Sequence, residues 1–171
     1  PLANGASQPS IFNVMKNLRM LGYGSSVNEH VLAPVAQHLT YIAKREGFPI
    51  GTPLEYDEYQ YIHQVPGGVI SNLKHQLSKM RMENRLDDVL TEIIQVKREL
   101  GYPIMVTPFS QFVASQSAIN IMTGERYKQV TDEIIMYTLG FWGKEAAAAI
   151  DPDIADRILS LPRAKELLHW E

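Results

Sequence analysis

Cysteine is absent from the chain, which excludes disulfides, thiolate catalysis and cysteine-based zinc sites and fits a reducing compartment. Also missing is any apolar run near the ~20 residues that a membrane helix needs, so direct membrane insertion is not expected. No basic stretch followed by an apolar one opens the chain; a secretory signal is not expected either, and the expected location is cytoplasmic. Positive charge is scarce and scattered. With a net charge of -3 and no run of Lys or Arg, nucleic acid is excluded as a partner, because phosphate binding needs concentrated cations. The first residue is Pro1 rather than Met, which suggests a fragment, a processed form or the ordered part of a longer protein.

Familiar catalytic signatures are lacking too. The five histidines stand at positions 30, 38, 63, 75 and 169 and form no His-x-His or His-Glu-x-x-His pair, so no metal site is expected within this chain. Asp151 and Asp153 flank Pro152, and a capping residue followed by proline at the first helical position accounts for them. There is no Gly-rich phosphate loop and no Gly-x-Ser-x-Gly elbow. Glu55, Asp57 and Glu58 form an acidic patch beside tyrosines, which reads as solvated surface.

What is present is helical periodicity. The 171 residues, 45% hydrophobic and 20% charged, suffice for one soluble domain with a substantial core. Ser7 or Ser10 could cap a helix carrying Ile11, Val14, Leu18 and Leu21 that ends at Gly22 to Gly24. Ser26 and Glu29 stand in capping-box spacing, ahead of Val31, Val35, Leu39 and Ile42 at helical intervals. Segment 51–65 is irregular, and the alternation of Tyr59, Tyr61, His63 and Val65 could hold a short extended piece. Pro66-Gly67-Gly68 then breaks the backbone before a helix with Leu73, Leu77 and Met80. Leu86, Val89, Leu90, Ile93, Val96 and Leu100 form the clearest apolar stripe, closed by Gly101 and Pro103. Phe112, Val113, Ala118, Ile119 and Met122 mark another helix, and two or three more complete the chain. Regular strand–helix alternation is lacking, so a complete α/β barrel is excluded and the fold class is mainly α.

Two segments hold more than a helix start requires. In His63-Gln64-Val65-Pro66-Gly67-Gly68-Val69-Ile70-Ser71-Asn72-Leu73, paired glycines after a proline permit either a tight helix entrance or a loop that lets a ligand approach the backbone. In Val106-Thr107-Pro108-Phe109-Ser110-Gln111, Thr107 is placed to cap a helix with Pro108 at its first position. Thr107, Ser110 and Gln111 would then cluster in a first turn, where unpaired N–H groups favour a polar ligand.

These two segments, about forty residues apart, resemble the conserved carboxylase domain of biotin-dependent keto-acid carboxyltransferases: pyruvate carboxylase, oxaloacetate decarboxylase and transcarboxylase. Supporting matches are Met122-Thr123-Gly124-Glu125-Arg126-Tyr127-Lys128, Leu139-Gly140-Phe141-Trp142-Gly143 and Pro162-Arg163-Ala164. Asn4-Gly5-Ala6-Ser7-Gln8-Pro9 looks like the last strand-to-helix turn of a TIM barrel. The resemblance therefore implies residues 1–25 as the end of a barrel otherwise absent, and 26–171 as a helical post-barrel funnel domain.

By resemblance, an upstream barrel of 300 or so residues, a typical length, holds a divalent metal that this segment does not bind, and carboxybiotin enters through the funnel. Thr107 matches the threonine that shuttles a proton between the substrate methyl or enol and the biotin ureido nitrogen. Ser110 matches a biotin contact, Gln111 stands beside it, and Gly67 and Gly68 match a loop lining the pocket. The implied partners are pyruvate or oxaloacetate, a biotin carrier protein or domain, and further copies of the chain in a homo-oligomer. Pyruvate carboxylases usually read Gln-Tyr-Thr and Ser-Ser-Lys where this chain has Val69-Ile70-Ser71 and Phe109-Ser110-Gln111. The pattern is closer to oxaloacetate decarboxylase α subunits and the transcarboxylase keto-acid subunit, although Phe109 is unusual in either branch. The isolated segment, without the metal centre, is expected to be inactive. The alternative is a non-catalytic helical assembly module, in which Thr107 is only a cap and the glycines only a hinge.

Overall fold

The computed structural model describes residues 9–48, 50–51, 55 and 57–168. Every regular element among them is helical, as the mainly α reading expects. Most of the expected strand-to-helix turn, Asn4 to Gln8, lies outside the described residues, as do Pro49 and His169. The chain divides into two compact units, Pro1–Tyr56 and Asp57–Glu171.

The first unit carries α1 (Ile11–Met20) and α2 (Glu29–Arg45). Ser10 caps α1 by accepting a hydrogen bond from the Asn13 N–H at 3.2 Å. Helix α2 starts two residues later than the capping-box spacing predicts. Asn28, not Ser26, is its cap and accepts from the His30 N–H at 3.0 Å; a short amide side chain at this position satisfies a first-turn donor directly. Met15 and Ala43 are buried, while Met20, Leu21, Val31 and Tyr41 are exposed.

The second unit opens with α3 (Tyr59–His63), where the alternating pattern predicts an extended piece. The two aromatic rings four residues apart meet edge to face at 5.3 Å, a contact that helical spacing provides and a strand does not. Helix α4 (Gly67–Lys79) follows, then a 3₁₀ turn, α5 (Leu86–Glu99) and α6 (Phe109–Thr123). The short helices α7 (Asp132–Thr138), α8 (Lys144–Ala148), α9 (Pro152–Leu159) and α10 (Pro162–Leu168) complete it.

Helices α5 and α6 form the centre. The stripe on α5 buries Val89, Ile93 and Val96 completely. Helix α6 is the inner helix of the unit: eight of its fifteen residues are buried, and Gln111, Ser115 and Met122 mark its one exposed face. Gly101 ends α5 at φ +76°, and a Cβ there would lie 2.5 Å from the Ala149 carbonyl oxygen, so only glycine fits the turn between α5 and the α8 end.

Candidate functional site

The glycine pair is a helix entrance. Pro66 is the extended cap of α4 and the helix begins at Gly67. Neither glycine has a positive φ, and a methyl group at Gly68 would meet nothing within 4 Å, so the chain itself does not require glycine there. Just upstream the backbone is clamped. Buried His63 accepts the Val65 N–H on Nδ1 at 2.9 Å, and Lys97 of α5 reaches the Ile62 carbonyl at 2.8 Å and the Gln64 side-chain oxygen at 3.0 Å. Burial lowers the pKa of both His63 and Lys97, because a charged form is poorly solvated there. For His63 the nearby Asp57 opposes this and Lys97 reinforces it.

Thr107 does not cap α6, contrary to expectation. The cap is Pro108, without a side-chain hydrogen bond, and the Thr107–Pro108 peptide is cis. Backbone carbonyls already claim the first-turn donors: Ser110 N–H bonds to Val106 at 3.0 Å, and Gln111 and Phe112 N–H bond to Pro108 at 2.9 and 3.3 Å. Thr107 is therefore left exposed at the helix mouth. Gln111 is exposed one turn on, but Ser110 does not join them at the surface. It is completely buried and its hydroxyl has no partner among the described residues. Phe109 packs beneath this mouth against Phe112 and Trp142, with ring centroids 5.3 and 5.5 Å apart.

The two singled-out segments meet across a groove. A cavity of about 230 Å³ lies between α4 and α6, lined by Val69, Asn72 and Gln76 on one wall and Gln111 and Ser115 on the other. On the far side of Gln111 a hollow of about 400 Å³ is lined by Pro108, Phe112, Glu133 and Trp142. Asn72, Gln76 and Ser115 escaped sequence reasoning. The readable signal was polar residues four apart in two helices, at 72/76 and 111/115, each pair falling on one helix face.

Also missed was a polar network that pins the turn after α6. Arg126 donates to both oxygens of Glu99 at 2.7 Å and to Glu92 at 2.8 Å. Tyr127 donates its hydroxyl to Glu99 at 2.8 Å, and Asn120 ties its own amide to Glu92 while accepting the Tyr127 N–H. Burial pushes the Glu99 carboxyl up, but hydrogen bonds from Arg126, Gln95 and Tyr127 outweigh it and hold the group below the usual carboxylate range. Among the described residues no three His, Asp or Glu side chains lie close enough to hold a metal ion; the donor set they offer does not fit one.

With this geometry in hand, residues 61–168 match the family described as the conserved carboxylase domain. The chain belongs to that family. A pyruvate carboxylase subunit from Methanocaldococcus jannaschii is 34% identical over 161 residues, which is 93% of this chain and 28% of that protein. The 2-oxoglutarate carboxylase large subunit of Hydrogenobacter thermophilus is 31% identical over 169 residues, 93% of this chain and 24% of that one. The methylmalonyl-CoA carboxyltransferase 5S subunit of Propionibacterium freudenreichii subsp. shermanii is 32% identical over 136 residues, 79% of this chain and 26% of that one. The chain thus spans about a quarter of the length of these curated relatives. The carboxylase-domain match contains the groove, the exposed Thr107 and the Arg126 network, all of which lie within residues 61–168.

Proposed function

We propose that this carboxylase domain is the cofactor-side part of a biotin-dependent carboxyltransferase, working with an upstream barrel on pyruvate or oxaloacetate. The observation that carries the reading is the groove in which both resembling segments contribute walls. Its side-chain amides and hydroxyl offer donors and acceptors without charge, which suits the uncharged ureido ring of biotin.

Biotin, when bound, would carry the transferable carboxyl group on its ureido nitrogen, giving it up as carboxybiotin or taking it from oxaloacetate. In this reading Thr107 passes a proton between the keto-acid methyl or enol and the ureido nitrogen. Its hydroxyl donates its own hydrogen to one partner while accepting one from the other, so no charge accumulates on the side chain. Gln111 contacts the ring; Ser110, which resemblance would also put there, is wholly buried and lines neither hollow, and Gly67 and Gly68 form the helix entrance beside the groove. A threonine hydroxyl is far too weak a base to begin the reaction unaided. Acidification of the methyl group therefore falls to the divalent metal, whose ligands we assign to the barrel rather than to this chain. The post-barrel funnel, a biotin carrier as partner, homo-oligomerisation and a cytoplasmic location belong to the same proposal. No helix of the described residues is long and apolar enough to cross a membrane.

The test is pyruvate formation from oxaloacetate by the complete protein, with and without free biotin. Biotin-dependent turnover is expected from the complete protein and none from the 171-residue chain; turnover that ignores biotin, or its absence from metal-loaded protein, contradicts the reading. A second reading, a helical assembly module, draws on the exposed Ile104, Val106, Phe141 and Trp142, which a partner subunit would cover. Under it, the complete protein would associate normally and show no biotin-linked chemistry dependent on Thr107.

A further inference from the structure

Two charged side chains are buried on α5, and they are held in different ways. Glu99 meets the Arg126 guanidinium, a partner of opposite charge. Lys97 is 6% exposed, yet both groups that it donates to are neutral oxygens, the Ile62 carbonyl and the Gln64 side chain. It forms no ion pair among the described residues. A buried charge without an opposite partner is costly, and an apolar side chain of the same length would fill the space without that cost. Packing does not account for a lysine at this position.

What Lys97 does hold is the approach to α4. Gln64 ends α3 in the left-handed conformation at φ 57°, which is unfavourable for a residue with a side chain and persists only with support from its surroundings. Lys97 supports it twice, through the carbonyl two residues earlier and through the Gln64 side chain itself. One residue on, the Val65 N–H is fixed by His63 Nδ1 at 2.9 Å and its side chain is buried. The Pro66 carbonyl then accepts the Val69 and Ile70 N–H groups at 2.9 and 3.1 Å, which starts α4. The clamp and the helix start are thus consecutive. The place of Lys97 decides where α4 begins, and so how Val69 and Asn72 face Gln111 across the groove.

We propose that Lys97 is a positioning residue of the carboxyl-transfer site: from α5 it fixes the bend at 64–66, and through that bend the α4 wall opposite Gln111. This rests on the carboxyl-transfer reading and adds to it a residue that lines neither hollow beside Gln111. The charge of Lys97 also acts on the other half of the clamp. His63 is faced by Asp57 and the Tyr59 ring from its own segment and by Lys97 from α5. Asp57 favours the protonated imidazole and Lys97 disfavours it, so the lysine helps to keep Nδ1 free to accept from Val65.

The experiment compares Lys97→Met, which fills the space without charge, with Lys97→Arg, which keeps charge and donors, in the complete protein. Hydrogen exchange over residues 65–72, biotin and oxaloacetate kinetics, and the melting temperature are read together. Lys97→Met is expected to speed exchange at 65–72 alone and to raise the biotin KM about tenfold with kcat within about twofold, at a melting temperature no lower than the parent's. With the cation gone His63 takes up its proton at higher pH, so the acid limb of kcat/KM for biotin moves up in pH. Lys97→Arg restores the exchange, the KM and the acid limb. Gln64→Ala, at an exposed residue, removes one of the two bonds and gives the same changes in exchange and KM in smaller measure. A melting temperature that falls in step with activity, unrescued by arginine, assigns a purely structural role and overturns the proposal. Biotin-dependent turnover in the parent with an unchanged biotin KM in Lys97→Met also overturns it, while carboxyl transfer stands. If the parent shows no biotin-dependent turnover, the carboxyl-transfer reading falls, and exchange at 65–72 alone decides the clamp: faster exchange in Lys97→Met upholds it and parent-like exchange refutes it.

Discussion

The Ser110 hydroxyl is buried in α6 with nothing to bond among the described residues, seven residues before Ser117, whose equally buried hydroxyl donates to the Val113 carbonyl at 2.8 Å. Removing an unpaired group removes its desolvation cost, so Ser110→Ala should stabilise the chain by about 1 kcal/mol, read as a higher urea midpoint. A lower midpoint would show that the hydroxyl is satisfied after all. His63 carries a prediction of the opposite kind. Its folded pKa is lowered, chiefly by burial, so the unfolded chain takes up its proton first. Stability should then be flat above the ordinary histidine value of about 6.5 and fall as pH drops below it, while protonation at Nδ1 also ends the bond from Val65. His63→Asn, which keeps an acceptor but cannot titrate, should flatten the urea midpoint between about pH 7 and 5.5, the window set by that histidine value; an unchanged slope would assign the proton elsewhere. At this scale the sequence showed which residue types were chemically useful but not where they point. Ser110 turned inward while Gln111 faces out, because consecutive residues of a helix are about 100° apart and cannot share one face.

Among the elements, α5 was legible because its buried face repeats at 3.6 residues with few interruptions and ends in glycine. The α3 segment was not, since Tyr59, Tyr61, His63 and Val65 also alternate, and a five-residue helix is too short for periodicity to decide. Helix α6 hid its own register because polar residues such as Gln116 and Asn120 are buried in it beside the apolar ones. The network at its C-terminal end was invisible for another reason: Glu92, Glu99 and Arg126 look like surface charges until the turn folds back and brings them together. Arg126→Ala leaves Glu99, whose side chain is only 9% exposed, short of its bidentate partner. The usual cost of breaking such a pair is about 3–5 kcal/mol. Because the arginine side chain is itself 38% exposed and partly screened, about 2 kcal/mol is expected in a denaturant titration. Glu99 also sets an acid limit. Its depressed folded pKa means that its contribution is complete above the ordinary glutamate value of about 4.3 and lost as pH falls through the lower folded value, so the arginine variant should be less acid-sensitive than the parent in that window.

For the molecule as a whole, most of the core lies in residues 57–171, while the first unit leaves apolar side chains such as Val31, Val35 and Tyr41 exposed. Kinship was readable from the sequence because two long motifs stand in order; the groove that joins them was not, because it is made by the packing of α4 beside α6. In the proposed reading, carboxyl transfer turns on the threonine at the α6 mouth. Thr107 bonds no first-turn donor in the structure, so truncating it should leave the fold intact, and any lost activity reports chemistry. The decisive measurement is the rate of carboxyl transfer between oxaloacetate and biotin in the complete protein carrying Thr107→Ala, with Thr107→Ser beside it. A fall of about a hundredfold or more at an unchanged melting temperature, largely restored by serine, is the predicted result. An alanine variant that transfers the carboxyl within a few-fold of the parent rate would contradict it.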